Sequence, residues 1–241
     1  GVNGGGLCWS GANGTITDST FTNNTSINVG GGLCWMGTNG TITDSTFTNN
    51  TGLVGAGGIR WQGNDGTLNN CIFIGNFANI NSGGAISWTG ANGALTSSTF
   101  IKNSVTGNGG ALFCGGINCT LTTCTFINNL AIYGGGIYWS SVANGNLIDS
   151  TFTGNTANNF GGAICWYNEG SMVNCSFVNS KSQLNNGIYS VEELIINGGK
   201  GIVYAFINGT LSGISIVVLN NETYYYPPNT NINLPNKKIK K

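Results

Sequence analysis

The chain has 241 residues, of which only 7% are charged; 41 are glycine and none is histidine. Hydrophobic residues make up 40%, which excludes a solvated disordered chain, a class that combines low hydrophobicity with high charge. The formal net charge is zero, but Lys237, Lys238, Lys240 and Lys241 hold half of the positive charge. Residues 1–236 carry four basic against eight acidic side chains, so no basic face for a nucleic acid is expected.

No apolar stretch approaches the roughly 20 residues of a membrane-spanning helix. The chain starts without Met, inside a repeat, and reads as an excerpt of a longer protein. The first repeat runs from the glycines Gly4 to Gly6 through "LCW" at Leu7, the turn Asn13-Gly14, "TIT" at Thr15 and "TFT" at Thr20 to Asn24. The tryptophan recurs at Trp35, Trp61, Trp88, Trp139 and Trp166, with Cys114 and Ser190 in its place twice. The phenylalanine recurs at Phe47, Phe73, Phe100, Phe126, Phe152 and Phe177; the steps in both columns run from 24 to 27 residues, 26 being the commonest. Two independent columns with one period signal a repeat architecture.

Within a repeat the apolar residues alternate. Ile16 stands between Thr15 and Thr17, and Phe21 between Thr20 and Thr22. This is strand patterning with β-branched flanks. Ile16 and Phe21 are an odd number apart, so both face inward only if the chain turns a corner near Asp18. About three short strands per 26 residues, separated by Gly and Asn turns, predict a right-handed parallel β-helix. Each coil then stacks on the last at the strand spacing of roughly 4.8 Å. The core columns are the Phe column, the aliphatic column from Leu7 to Ile188, and a column from Ile16 to Met172. Asn24, Asn50, Asn76, Asn103, Asn129 and Asn155 each follow the Phe by three residues and read as a stacked structural ladder.

The eight cysteines divide by column. Cys71, Cys124 and Cys175 stand two before the Phe, an inward position. Cys8, Cys34 and Cys165 share a column with Arg60, Ser87, Phe113 and Tyr138, a variety that predicts an outward face. Arg60, Ser87, Phe113 and Tyr138 are therefore the candidate ligand-binding residues, since exposed aromatics beside polar groups suit a sugar or a partner protein. Ordinary cross-strand packing is the competing reading. Cys8 and Cys34 lie on neighbouring coils within bridging reach. Cys114 replaces Trp and Cys119 replaces the turn glycine of the same coil; the pair of exceptions suggests a disulfide. No CxxC spacing or carboxylate cluster points to a metal.

Asp18 and Asp44 share a column on adjacent coils. Two carboxylates about 5 Å apart suit calcium or a raised pKa, but a polar corner is the plainer reading. β-Helix lyases and hydrolases need paired carboxylates, or calcium carboxylates with a basic group. None shares this face, so no enzyme, metal or cofactor is expected. Sequons at Asn13, Asn39, Asn118, Asn208 and Asn221 are glycosylation candidates.

The "GGA[I/L]" and "FxxN" pair resembles the repeat of chlamydial polymorphic outer-membrane proteins. With "STFTNN" and "GGAICW" the Asn/Thr-rich chain looks still more like adhesin-like surface proteins of methanogenic archaea. The likeness covers residues 1–190. It implies a surface-exposed β-helix attaching to glycans or proteins of other cells or surfaces, in the company of further domains of the parent chain, with no catalytic motif. A carbohydrate-active enzyme and a purely structural stalk that assembles end to end are the alternatives. The pattern changes after residue 190: residues 191–236 read as an antiparallel β cap or the start of an immunoglobulin-like module, with hairpins at Asn208-Gly209 and Asn220-Asn221. Residues 237–241 form a basic tail.

Overall fold

The computed structural model describes residues 3–80, 82–140, 144–167, 170–182, 188–190, 194–207, 210–219 and 222–226, with backbone pairing alone from residue 188 onward. It is an all-β parallel solenoid of seven coils, counted on the seven-stranded sheet along one side. The second coil shows the unit: strands Leu33–Trp35, Thr41–Thr43, Thr46–Thr48 and Thr51–Gly52. The fourth strand was not expected. It is two residues long, too short to show a period, and follows the ladder asparagine directly.

Strands pair in register with one slip, between Ala131 and Tyr133, where Leu130–Tyr133 meets Thr156–Phe160. Leu7, Leu33, Ile59, Ile86, Leu112, Ile137, Ile164 and Ile188 are successive partners. The corner at Asp18 is present. Asp18, Asp44, Asn70, Ser97, Thr123, Asp149 and Asn174 all adopt φ between 47° and 55°. Two further left-handed columns run through Asn13, Asn39, Asp65, Asn92 and Asn118, and through Asn23, Asn49, Gly75, Lys102, Asn128 and Gly154. Asn and Asp tolerate this conformation through local hydrogen bonds, and Gly because it has no Cβ. Three such corners recur along the solenoid, and left-handed Gly83, Gly109, Gly134 and Gly161 add a fourth on the later coils, which explains why the strands are short.

Every interior coil buries one Phe and two aliphatic side chains completely, and all but one bury a Trp. Each such burial contributes roughly 1.5–3 kcal/mol. Neighbouring Phe rings stack at 4.6–5.0 Å between centroids. The Trp stack has one gap, at the coil of Cys114. The indole also dictates the glycine that follows it: a Cβ on Gly40 would lie 2.3 Å from Trp35 Nε1, and one on Gly93 2.5 Å from Trp88 Nε1.

At the far end, Leu194–Ile207 pairs in parallel with Gly170–Val178 and Ile188–Ser190. Thr210–Leu219 and Glu222–Tyr226 then return antiparallel, with Ile207 opposite Thr210 and Leu219 opposite Glu222. Both registers require the two-residue connections expected at 208–209 and 220–221. Those turn residues and the basic tail 237–241 lie outside the described residues.

Candidate functional site

The asparagine ladder is the most regular polar feature. Asn50 Oδ1 accepts from the backbone N–H of Asn24 at 3.0 Å and from its Nδ2 at 2.9 Å. Asn76, Asn103, Asn129 and Asn155 repeat both bonds in turn. Each Nδ2 also reaches back to a Phe carbonyl, as in Asn103 to Phe73 at 3.0 Å. From Asn50 to Asn155 the ladder is buried and committed to structure.

A second ladder escaped the sequence reading. Ser45 Oγ accepts from the Ser19 amide at 3.1 Å, Ser98 from Cys71 and Ser150 from Cys124. Between them the amides of Ser45, Ser98 and Ser150 point at the sulfurs of Cys71, Cys124 and Cys175. The inward cysteines therefore take the place of serine rungs and are not only small packing residues. The signal was in the column itself, whose only occupants are Ser and Cys. Burial pushes these three thiols up, to about 11 for Cys71 and Cys124 and about 12 for Cys175.

Arg60, Ser87, Phe113 and Tyr138 are brought together as register partners on one column. The column is not the open face that its variety predicted. Cys34, Ser87 and Cys165 are at most 1% exposed, while Arg60, Phe113 and Tyr138 are half-buried. The physical reason is that long members lie over short ones. Arg60 Nη1 donates to Ser87 Oγ at 2.9 Å, and Tyr167 hydrogen-bonds the Cys165 sulfur. Phe113 stacks on Tyr138 at 5.5 Å and 7°, and Tyr138 meets Tyr167 at 5.3 Å and 41°. Tyr167 was missed because it sits just after the Trp, a position held elsewhere by Met36, Gln62 and Thr89.

All eight cysteines are thiols here. Cys8 and Cys34 are register partners, with their thiols side by side. Burial first, then the neighbouring Cys8, lifts Cys34 to about 12, against a smaller opposing effect of Arg60. Cys114 and Cys119 are both fully buried, and their thiols interact with each other. Where the indole is missing, the glycine is missing too: two thiol side chains occupy the gap between coils that carry Trp88 and Trp139.

Asp18 and Asp44 sit at left-handed corners, and Asp44 Oδ1 accepts from Asn70 Nδ2 at 2.6 Å. Among the described residues no group of three or more His, Cys, Asp or Glu is placed to hold a metal. Asn13, Asn39 and Asn118 are exposed at one corner column, where the Asn39 side chain donates to that of Asn13 at 3.2 Å. Asn208 and Asn221 lie outside the described residues.

Residues 97–115 and 149–165 match the Chlamydia polymorphic membrane protein repeat. Both segments run from the left-handed corner, through the Phe and the ladder Asn, to the strand that carries the aliphatic core residue. The chain is similar to that repeat over these two half-coils. No curated protein and no solved structure matches it.

Proposed function

We propose that this chain is an extracellular, adhesin-like repeat domain: a stiff, nearly uncharged scaffold that holds a lateral column of side chains toward glycans or proteins of other surfaces. The observation that carries the reading is the match to a surface-protein repeat on two coils of an in-register solenoid. The Asn/Thr-rich version of the repeat supports a placement among adhesin-like proteins of methanogenic archaea. A solenoid of this kind gives each coil contacts only to its neighbours and presents an extended lateral surface. Of the polar groups that most resemble a catalytic set, the ladder asparagines are engaged in holding the backbone, and the Asp44 carboxylate accepts from the Asn70 side chain.

The test is a coating assay. Beads carrying the purified chain are expected to attach to cells or to a glycan array, and beads carrying a heat-unfolded chain are not. A polysaccharide-cleaving activity abolished by Asp18→Asn together with Asp44→Asn would replace this reading with an enzymatic one.

A further inference from the structure

We propose that Cys8 and Cys34 form a thiol–disulfide exchange site for low-molecular-weight disulfides, in which Cys8 is the attacking thiol and Cys34 the thiol that closes the protein disulfide. The site is independent of the attachment reading.

Position singles out this pair. Cys8 is exposed, and the other seven cysteines are buried. Cys8 and Cys34 are register partners on adjacent parallel strands, Leu7–Trp9 and Leu33–Trp35. In-register neighbours lie roughly 4.8 Å apart, inside the Cα separation that a disulfide spans. Their thiols already interact. No other cysteine combines an open thiol with a thiol neighbour. Along their column Cys71, Cys124 and Cys175 are separated by Ser98 and Ser150. Cys165 has Tyr138 and Tyr189 as register partners, and Cys114 and Cys119 are both sealed in the core.

The exchange runs in two balanced steps. The Cys8 thiolate attacks one sulfur of a disulfide R–S–S–R. A mixed disulfide forms on Cys8, the R–S–S–R bond breaks, and the departing RS⁻ takes up the proton that Cys8 gave up. The Cys34 thiolate then attacks the Cys8 sulfur. The Cys8–Cys34 bond forms, and the second RS⁻ leaves with the Cys34 proton. Two protein thiols are oxidised, and the external disulfide is reduced to two thiols. Only the first step needs contact with solvent. The second takes place between neighbouring side chains, so the burial of Cys34 does not block it. Because it is intramolecular, it also outruns attack on Cys8 by a second chain.

Electrostatics favour this order of events. Among the described residues, the titratable side chains that act on Cys34 are its two register partners, Cys8 and Arg60. Burial and Cys8 hold the Cys34 thiol up at about 12, and Arg60 opposes them. The Cys34 thiolate in turn holds the Arg60 charge in place against burial. Once Cys8 is tied up in a mixed disulfide it can no longer carry a negative charge. Its share of the upward shift is then lost, while Arg60 remains, and a cation beside a thiol favours the thiolate. Cys34 therefore ionises more readily after the first step than before it. Arg60 is a positioning residue here, acting through Cys34 and not on the external disulfide.

The experiment exposes the folded, reduced chain to hydroxyethyl disulfide at mildly alkaline pH, quenches with acid at intervals and maps the cysteines by mass spectrometry. The parent chain should end with a Cys8–Cys34 disulfide and no retained hydroxyethylthio group. Cys34→Ser should stop at the adduct on Cys8, and Cys8→Ser should leave Cys34 unmodified over the same time. Arg60→Gln should form the adduct at the parental rate but resolve it several times more slowly, with the pH profile of resolution moved upward. Arg60→Lys should restore part of that rate. Circular dichroism melts of each variant confirm that the chain is folded. The site is overturned if the parent does not react, keeps the adduct on Cys8, links two chains through Cys8, or closes its disulfide with another cysteine. Modification of Cys34 in Cys8→Ser at the parental rate overturns Cys8 as the attacking thiol. Unchanged resolution in Arg60→Gln overturns the role of the arginine.

Discussion

Trp88 occupies the place where Gly93 would carry a side chain: a Cβ there would lie 2.5 Å from the indole Nε1. The same relation holds between Trp9 and Gly14, Trp35 and Gly40, and Trp61 and Gly66. It makes Cys114 and Cys119 intelligible as a joint exchange, two medium side chains for one large and one absent.

Installing the indole alone should fail. Cys114→Trp is expected to destabilise by about 1–3 kcal/mol through overpacking against Cys119. Cys119→Gly alone should also destabilise, through the cavity it leaves. The double variant Cys114→Trp/Cys119→Gly should recover most of the loss. Urea unfolding of the four proteins measures this coupling; additive effects would contradict the exchange.

The ladder should matter most at its centre. Asn103→Ala strips the amide of Asn76 and the carbonyl of Phe73 of their buried partner and is expected to cost about 3 kcal/mol. Asn24, at the partly exposed end, accepts no bond from a preceding rung, and Asn24→Ala should cost well under half as much. Thermal melts of the two variants order them.

Much of this was legible in the sequence, and the reason is repetition. A position that holds Leu or Ile on every coil has one environment repeated, so its orientation reads off the column. The corner at Asp18 followed from parity alone. The column of Arg60 and Ser87 was misjudged because variety was equated with exposure, whereas a long side chain lying along the axis buries its short neighbour. The serine–cysteine ladder was missed because sulfur and hydroxyl were treated as different roles, although both accept from the amide of the preceding coil.

Left-handed corners predict a stabilising substitution. Thr123 has φ 55° on a column of Asp, Asn and Ser. A β-branched residue there carries a strain of roughly 1–2 kcal/mol that Asn relieves in part. Thr123→Asn should raise stability by about 1 kcal/mol, seen as a higher urea midpoint with an unchanged slope.

Thiol chemistry follows burial. Cys34, Cys71, Cys124, Cys165 and Cys175 are held at about 11 to 12, up from 9.0, chiefly by desolvation. At pH 8 the native protein should therefore react with iodoacetamide at exposed Cys8 and hardly at these five. The sign for stability is fixed by the same shift. A thiol whose folded pKa is raised stabilises the native state fully below its unfolded value, so that contribution should fall between pH 9 and pH 12 as the unfolded chain loses protons first. Labelling mapped by mass spectrometry and urea midpoints across this window check both statements.

The coil as the exchangeable unit is tested most directly by deletion. Removing residues 86–111, one period from the start of one aliphatic strand to the start of the next, joins Ala85 to Leu112 in register. Removing residues 86–98 joins half a coil out of register. Circular dichroism and urea unfolding should show the first variant folded, cooperative and one coil shorter, and the second unfolded. Loss of folding in both, or a folded half-coil deletion, would contradict the account.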